Sequence, residues 1–330
     1  MKLKVVAGLL GLSALFNVAG LVFMIGYIDA RGDVKQLKKQ RQQIEQNLAM
    51  AQSSALAKER NPGGSPTGNA SAPNPELERS IERKFASHLD GVEDQFRVLL
   101  PQWSGGPREY TLLVYLHGMG STELEPFLVP SDTSIARGLT SVDRNTCIIS
   151  CSCRKKQAWG NDAAVADITQ NIRNVMYELP FKRIVICGTS MGGCTALNYA
   201  ASAPPDIKEK ISGIICVEGA GDVAGIYHQT HTDVIRTAMA EAFGGTPEQV
   251  PQVYAAKSFI NKIDKVQAGT RFALVTTSAD TVVPAALQMD VVQRLKATNH
   301  PVKQFELAGE HHVPPWTTFA DAYRFVLNGS

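Results

Sequence analysis

The sequence predicts an α/β fold in which a mostly parallel sheet is covered by helices on both faces. Continuous apolar runs bounded by turn residues recur along the chain, and amphipathic stretches lie between them. Unbroken apolar runs are typical of strands buried on both faces of a parallel sheet. Their alternation with helical stretches therefore predicts an open sheet wrapped by helices.

The predicted elements follow one another in a regular order. The strand candidates are residues 111–118, 146–152, 183–188, 211–219, 271–280 and 302–309. The clearest helix candidates are residues 163–179, 285–298 and 316–327. Residues 223–268 form an insertion with helical patterning, which we expect to be a small cap.

Composition limits the classes of protein to which the chain can belong. The 330 residues are 44% apolar and 19% charged, which is enough for one large domain with a buried core and appendages. A net charge of +2, with no basic patch interleaved with aromatic residues, gives no indication of a nucleic-acid partner.

The six cysteines lie in or beside apolar segments, at positions 147, 151, 153, 187, 194 and 216. The spacing C-x3-C-x-C has no matching second pair of ligands, so a zinc site is not expected. Buried free thiols are the favoured interpretation, and a disulfide that involves Cys147, Cys151 or Cys153 stays open if the domain is exported.

Residues 1–30 are expected to anchor the chain in a membrane. Lys2 and Lys4 precede 24 uncharged residues from Val5 to Ile28, which would extend roughly 36 Å as a helix at about 1.5 Å per residue. A cleaved signal peptide usually has an apolar region of only about 7–15 residues, so an uncleaved anchor is favoured over a signal peptide.

The orientation of this anchor is not fixed by charge alone. The basic residues after the span would place the C-terminal domain in the cytoplasm under the positive-inside rule. A short basic N-terminus before an apolar run is also typical of export signals. We expect the domain on the extracytoplasmic face, periplasmic or extracellular.

A stalk and a linker are predicted to separate the anchor from the globular domain. Residues 31–60 carry about three weak heptad repeats, which indicate either a weakly self-associating stalk or a solvated single helix. Residues 61–76 are rich in Pro, Gly, Ser and Asn, as in flexible linkers. The globular domain is predicted at 77–330.

A serine turn lies between a predicted strand and a predicted helix. Residues 188–192 read Gly-Thr-Ser-Met-Gly and fit G-x-S-x-G. Such a turn needs glycine on both sides, because the sharp reversal crowds neighbouring side chains while the serine hydroxyl projects above the sheet. Ser190 is therefore the candidate nucleophile.

A serine nucleophile requires a base and an orienting acid. Asp280 ends a predicted strand and is the favoured acid, with Asp222 as the alternative. The base is expected from the adjoining His311 and His312, beyond the last strand. The spacing L-x-G-x-x-H, counted from Leu307, favours His312, with His311 as the alternative.

Acyl transfer also needs donors for the developing oxyanion. The N–H of Met191 follows the nucleophile and begins a predicted helix, so it is the first candidate. A second N–H is expected from the loop after residues 111–118, with Met119 favoured and Gly118 as the alternative.

Taken together, the motifs YLHGMG, WGND, RIVICGTSMGG, SADTVVP and GEHHVPP resemble the α/β-hydrolase superfamily across residues 110–315. They are most similar to its prolyl-oligopeptidase and dienelactone-hydrolase-like esterase branches. The resemblance implies a Ser190–Asp280–His312 triad without a metal or an organic cofactor. Dienelactone hydrolases use a cysteine nucleophile, so Ser190 favours an esterase or a peptidase.

Three functions are compatible with these residues. The favoured one is a membrane-anchored serine hydrolase that cleaves carboxylic esters through an acyl-enzyme. The alternatives are a serine peptidase acting on short peptides and a non-catalytic binding protein of the same fold. The sequence has no evident pair of acidic residues for binding a peptide amino terminus, so the esterase is favoured over the peptidase. Trp159 and Tyr227 are candidate pocket residues.

Overall fold

The computed structural model describes residues 75–102, 109–129, 133–154 and 157–329. The anchor, the stalk and nearly all of the linker predicted for the N-terminal segment lie outside these residues. Within the described ranges, no helix combines the length and the apolar character that crossing a bilayer would require.

Eight described strands form one sheet in the order β1-β2-β4-β3-β5-β6-β7-β8. Strands β3 to β8 pair parallel with one another, whereas β2 pairs antiparallel with both β1 and β4. The strands are β1 Ile81–Ala86, β2 Glu93–Leu99, β3 Tyr110–Leu116, β4 Thr146–Cys151, β5 Phe181–Thr189, β6 Ile211–Val217, β7 Arg271–Thr277 and β8 Val302–Leu307.

Helices occupy most of the connections between these strands. They are α1 Pro75–Arg79, α2 Glu125–Leu128, α3 Ile135–Val142, α4 Asp162–Glu178, α5 Met191–Ser202, α6 Pro205–Lys208, α7 Val223–Gln229, α8 Asp233–Phe243, α9 Pro251–Lys257, α10 Ala285–Ala297 and α11 Trp316–Asn328. Two short 3₁₀ turns, Phe259–Asn261 and Ile263–Lys265, follow α9.

The sheet is buried on both faces, as the continuous apolar runs predict. Along β3 the side chains alternate between two cores, with Val114 in one and Leu113 in the other. The first core is covered by α4, α5 and α10, and the second by α3 and α11. The mostly parallel sheet with helices on both faces is therefore confirmed.

The antiparallel β1–β2 hairpin has no counterpart among the predicted strands. Strand β1 reads IERKFA and none of its residues is fully buried, with Ile81 47% exposed. An edge strand of this composition lacks the apolar run by which the buried strands are recognised.

The insertion between β6 and β7 is helical, as predicted. Helices α7, α8 and α9 pack around a third apolar cluster, which contains Ile226, Met239 and Tyr254 together with Trp159 and Met191. Since Met191 is the first residue of α5, the insertion lies against the start of that helix.

All six cysteines are buried and free. The disulfide left open for Cys147, Cys151 or Cys153 is thus not formed, and the interpretation as buried thiols agrees with the structure.

Candidate active site

Ser190 lies at the sharp reversal between β5 and α5. Its backbone has φ 53° and ψ −115°, a conformation that residues with a side chain rarely adopt. A Cβ on Gly188 would lie 2.2 Å from the carbonyl oxygen of Gly192. A Cβ on Gly192 would lie 2.0 Å from that of Leu116. Both flanking glycines are therefore required by the close approach of the backbone.

The hydroxyl of Ser190 begins a continuous chain of hydrogen bonds. Its Oγ lies 3.0 Å from Nε2 of His311, and Nδ1 of the same ring lies 2.6 Å from Oδ2 of Asp280. The strand end at β5, the loop after β7 and the loop after β8 thus bring these three side chains together at one edge of the sheet. This is the geometry expected of a nucleophile, a base and an orienting acid.

The carboxylate of Asp280 is held in place by its own turn. Oδ1 accepts hydrogen bonds from the N–H groups of Val282 and Val283, each at 2.9 Å. Oδ2 accepts a second bond from Nε2 of Gln288 at 2.8 Å. Asp280 is only 4% exposed, so these donors fix the carboxylate oxygens before any substrate arrives.

His312, favoured over His311 from its spacing, does not face the serine. Its Nδ1 contacts the carbonyl oxygen of Glu310 at 2.7 Å, and its side chain is 44% exposed. The preference for His312 is therefore corrected to His311. Neighbouring residues on an extended loop point in different directions, and spacing alone does not reveal which one turns inward.

Asp222, the alternative acid, has a different position. It precedes α7, and its Oδ1 accepts a hydrogen bond from the N–H of Gly225 at 2.9 Å. The side chain is the N-cap of that helix. Asp280 rather than Asp222 contacts the imidazole.

A second carboxylate that the motifs did not reveal lies beside the histidine. Glu218 directly follows β6 and is 1% exposed, and its Oε2 lies 3.2 Å from Nδ1 of His311. Its position at a strand end next to β7 could have been noticed, because parallel strands end at the same edge as Asp280.

Burial and charge act in opposite directions on the imidazole. Burial disfavours the protonated ring of His311, but the hydrogen bond to Asp280 and the charges of Asp280 and Glu218 outweigh it. The pKa of His311 is consequently raised above its ordinary value. Burial also raises the pKa of Glu218, although Thr277 and His311 oppose that shift.

The predicted oxyanion donors differ in availability. The N–H of Gly118 donates to Oε2 of Glu125 at 3.0 Å, so it is already engaged. The N–H groups of Met119 and Met191 have no hydrogen-bond acceptor among the described residues. Met191 also begins α5, where the helix dipole favours negative charge. Met119 and Met191 remain the candidates, and Gly118 does not.

A buried glutamate braces the loop that carries Met119. Oε1 of Glu125 accepts hydrogen bonds from the hydroxyl of Tyr115 at 2.7 Å and from that of Thr189 at 2.8 Å, while Oε2 holds Gly118. Since Thr189 immediately precedes the nucleophile, Glu125 ties the loop after β3 to the serine turn. The motifs gave no signal for this residue.

The two candidate pocket residues lie at different depths. Trp159 is 2% exposed, has φ 47° and belongs to the same apolar cluster as Met191. Its Nε1 has no hydrogen-bond partner within the described ranges. Tyr227 packs at the margin of the cluster, with its ring edge-on to that of Tyr254 at 5.9 Å. Trp159 is thus a buried member of the cluster that contains Met191, whereas Tyr227 is only partly buried against it.

Glu218, Asp280 and His311 are the described residues that could together hold a metal ion. One potential ligand atom from each lies within 4.8 Å of the others. The nitrogen nearest to both carboxylates is Nδ1 of His311, which is the atom that bonds to Asp280. A cation would therefore compete with the hydrogen bond that orients the imidazole.

Together, the fold and this site define a serine hydrolase of the α/β-hydrolase class, and the non-catalytic alternative is set aside. The sequence profile of the prolyl oligopeptidase family matches residues 161–327, about half of the chain. The chain belongs to that family.

Solved structures from other proteins share the fold at low sequence identity. FphF, a fluorophosphonate-binding serine hydrolase of Staphylococcus aureus, is 16% identical with a TM-score of 0.59, covering 76% of this chain and 98% of its own. The S-formylglutathione hydrolase FrmB of the same organism is 17% identical with a TM-score of 0.57, over 76% and 98%.

Longer peptidases match through one part of their length. A puromycin-hydrolysing peptidase of Mycobacterium tuberculosis is 16% identical with a TM-score of 0.59, covering 77% of this chain and 39% of its own. No curated protein sequence matches the chain.

Proposed function

We propose that the protein is a serine esterase that hydrolyses carboxylic esters through an acyl-enzyme on Ser190. The observation that carries the proposal is the hydrogen-bonded chain from Ser190 through His311 to Asp280. An isolated serine hydroxyl is a poor nucleophile at neutral pH, and this chain supplies the base and the acid that activate it.

In the acylation step, Oγ of Ser190 attacks the ester carbonyl carbon while Nε2 of His311 takes the hydroxyl proton. The carbonyl oxygen becomes an oxyanion, which the N–H groups of Met191 and Met119 stabilise. The bond to the alcohol then breaks, and the alcohol leaves with the proton from His311. A water molecule, deprotonated by His311, then attacks the acyl-enzyme, and the carboxylic acid is released as Ser190 regains its proton. Asp280 keeps Nδ1–H oriented in both steps.

Two features favour small esters over large substrates. Ser190 is only 8% exposed and the side chain of His311 only 21%, so little of the nucleophile is accessible to a large substrate. Trp159, in the same apolar cluster as Met191, is the proposed wall of the acyl site, with Tyr227 of α7 at the margin of that cluster. The structures matched over 98% of their own length are described as serine and S-formylglutathione hydrolases.

Turnover of p-nitrophenyl acetate and longer p-nitrophenyl esters tests the proposal, with Ser190→Ala as the inactive variant. Ser202→Ala is the matched control, because Ser202 is an exposed serine at the far end of the same helix. We expect turnover by the wild type and by Ser202→Ala, strongest with short acyl chains. Equal turnover by Ser190→Ala would place the nucleophile elsewhere.

A serine peptidase acting on short peptides is the second candidate. The family membership and the match to a puromycin-hydrolysing peptidase support it. Because the catalytic groups would be the same, p-nitroanilides of single amino acids and dipeptides decide between the two. Faster turnover of anilides than of esters would favour the peptidase.

We also propose that residues 1–30 anchor the enzyme in a membrane, with the catalytic domain on the extracytoplasmic face. The 24 uncharged residues from Val5 to Ile28 support anchoring. The full chain should stay with membranes in alkaline carbonate, and deletion of residues 1–30 should release it. Release of the full chain by carbonate would contradict anchoring.

The side of the membrane can be tested with Ser65→Cys and an impermeant maleimide. The six native cysteines are buried, so the background labelling of intact cells should be low. Labelling without permeabilisation is expected, whereas labelling only after permeabilisation would place the domain in the cytoplasm.

Sedimentation of the detergent-solubilised chain, with and without residues 31–60, tests the weak self-association proposed for the stalk.

A further inference from the structure

Two carboxylates approach the same nitrogen of His311. Nδ1 lies 2.6 Å from Oδ2 of Asp280 and 3.2 Å from Oε2 of Glu218. The first oxygen is supplied after β7 and the second after β6, so adjacent strands present both acids to one ring. A nucleophile, a base and one acid would suffice for the proposed mechanism, and Glu218 has no role in it so far.

The position of Glu218 is set by its backbone. It has φ 50°, and its N–H donates to the carbonyl oxygen of Val275 on β7 at 2.8 Å. A residue with a side chain in this left-handed region is under backbone strain and persists only where surrounding contacts hold it. At Glu218 the strained backbone directs the carboxylate towards the imidazole.

The hydrogen-bond partners of Glu218 are donors, as expected for an ionised carboxylate. Oε1 receives the hydroxyl of Thr277, and Oε2 receives the N–H of His312 at 3.0 Å. With Nδ1–H of His311 beside Oε2, the carboxylate is surrounded by donors, which suits an ionised group. A buried carboxylate is costly unless its charge is compensated, and the imidazolium formed during catalysis is the compensating charge nearest to it.

Among the described residues, three charged or titratable groups face His311 on the side of Nδ1. They are Asp280 from the loop after β7, Glu218 from the end of β6, and His312 next in the chain, whose Nδ1 lies 3.6 Å from Oε1 of Glu218. Ser190 faces the opposite ring nitrogen. The negative charges at Nδ1 therefore come from Asp280, which forms the hydrogen bond, and from Glu218, which lies within ion-pair distance.

We infer that Glu218 is a second positioning carboxylate, which shares the Nδ1–H of His311 with Asp280 and supports catalysis when Asp280 is lost. The inference rests on the proposed function of Ser190 and His311. The alternative role is one in which Glu218 only anchors the backbone of His312. The two roles differ in whether the charge of Glu218 acts on the imidazole.

Loss of Asp280 distinguishes these roles. Asn at position 280 offers an N–H to Nδ1 and favours the wrong tautomer, which typically costs roughly 10⁴-fold in turnover. With Glu218 in place to accept Nδ1–H, we expect Asp280→Asn to cost only about 10²-fold in p-nitrophenyl acetate turnover. Asp280→Asn combined with Glu218→Gln should lose the remaining factor and fall to about 10⁴-fold below wild type.

The pH profile supplies a readout that a purely structural role would not move. Removing a negative charge near an imidazolium lowers its pKa by about one unit or more, so the acid limb of kcat/KM should move to lower pH in Glu218→Gln. Glu310→Gln is the matched control, since Glu310 lies on the same loop but is exposed. The acid limb of kcat/KM should stay at the wild-type pH in Glu310→Gln.

The outcomes distinguish a failure of the proposed function from a failure of the role of Glu218. Equal activity of Ser190→Ala and wild type would overturn the proposed function itself. With Ser190→Ala inactive, the role of Glu218 is overturned if its Gln variant keeps the wild-type acid limb or if Asp280→Asn is already as slow as the double variant. Thermal unfolding of each variant checks folding. If Glu218→Gln does not fold, the loss in Asp280→Asn alone decides: about 10²-fold supports the role of Glu218, and about 10⁴-fold overturns it.

Discussion

The serine turn and the histidine loop meet at one hydrogen bond, yet they are built in different ways. The serine turn, residues 188–192, is held by backbone contacts so close that a methyl group on Gly192 would lie 2.0 Å from a carbonyl oxygen. The histidine loop, residues 309–315, is largely exposed, and a methyl group on Gly309 would meet no atom within 4 Å. The first is fixed by sterics and the second by side-chain partners.

This difference explains which side chains could be identified from sequence. Backbone crowding allows few residue types, so the serine turn has a recognisable pattern. On the histidine loop, the inward direction of His311 depends on Asp280 and Glu218, which come from strands far away in the chain. Two adjacent histidines on a loop carry no signal of which one those acids select.

The largest expected effect is the contrast between replacing His311 and replacing its neighbour His312. His311→Ala should lower turnover on the order of 10⁴- to 10⁶-fold, because it removes the base that activates Ser190. His312→Ala should lower it by less than about tenfold, since its ring points away from the serine. Steady-state kinetics on p-nitrophenyl acetate measures both, and the opposite ranking would restore the assignment of His312.

The next largest effect is on the free energy of unfolding, and it contrasts Gly192 in the serine turn with Gly309 in the histidine loop. Gly192→Ala should destabilise the fold by more than about 4 kcal/mol, because a Cβ there collides with the backbone of β3. Gly309→Ala should cost about 1–3 kcal/mol, since φ 106° is strained for alanine but the surrounding space is open. Urea denaturation gives the free energies of unfolding. Similar losses would mean that the two segments are equally constrained.

The smallest effect is a shift in pH dependence. The base must be neutral to take the proton of Ser190, so activity should rise as His311 loses its own proton. Because Asp280 and Glu218 raise the pKa of His311, half-maximal kcat/KM on the acid side should lie above pH 6.5, the ordinary value for histidine. An acid midpoint below that value would show that burial outweighs the two carboxylates.

The fold was predictable where burial left a continuous apolar pattern. Strands β3 to β8 were each predicted within a few residues, because both faces of β3 to β7 lie in cores and β8 places partly buried apolar residues against them. The β1–β2 hairpin was missed, since β1 carries charged residues on an exposed edge. A strand of this kind is defined by its pairing with β2 rather than by its own composition.

The candidate site was predictable where its residues lie in a recognisable pattern. Ser190 and Asp280 follow strands in recognisable patterns, and the structure brings them together through one histidine. Glu125 was not found, because a single glutamate in a short helix has no pattern of its own. Glu218 was missed although its place at the end of β6, at the same sheet edge as Asp280, was a usable signal. The engagement of Gly118 could not be foreseen either, as it depends on the side chain of Glu125.

The most direct test is to label the protein with a fluorophosphonate and map the adduct by mass spectrometry. An activated serine reacts with this reagent, and in the proposed mechanism Ser190 is activated through His311. We expect a single adduct on the peptide that contains Ser190, formed at least about 10²-fold more slowly in His311→Ala and at nearly the wild-type rate in His312→Ala. An adduct on another residue, or an unchanged rate in His311→Ala, would contradict the central claim.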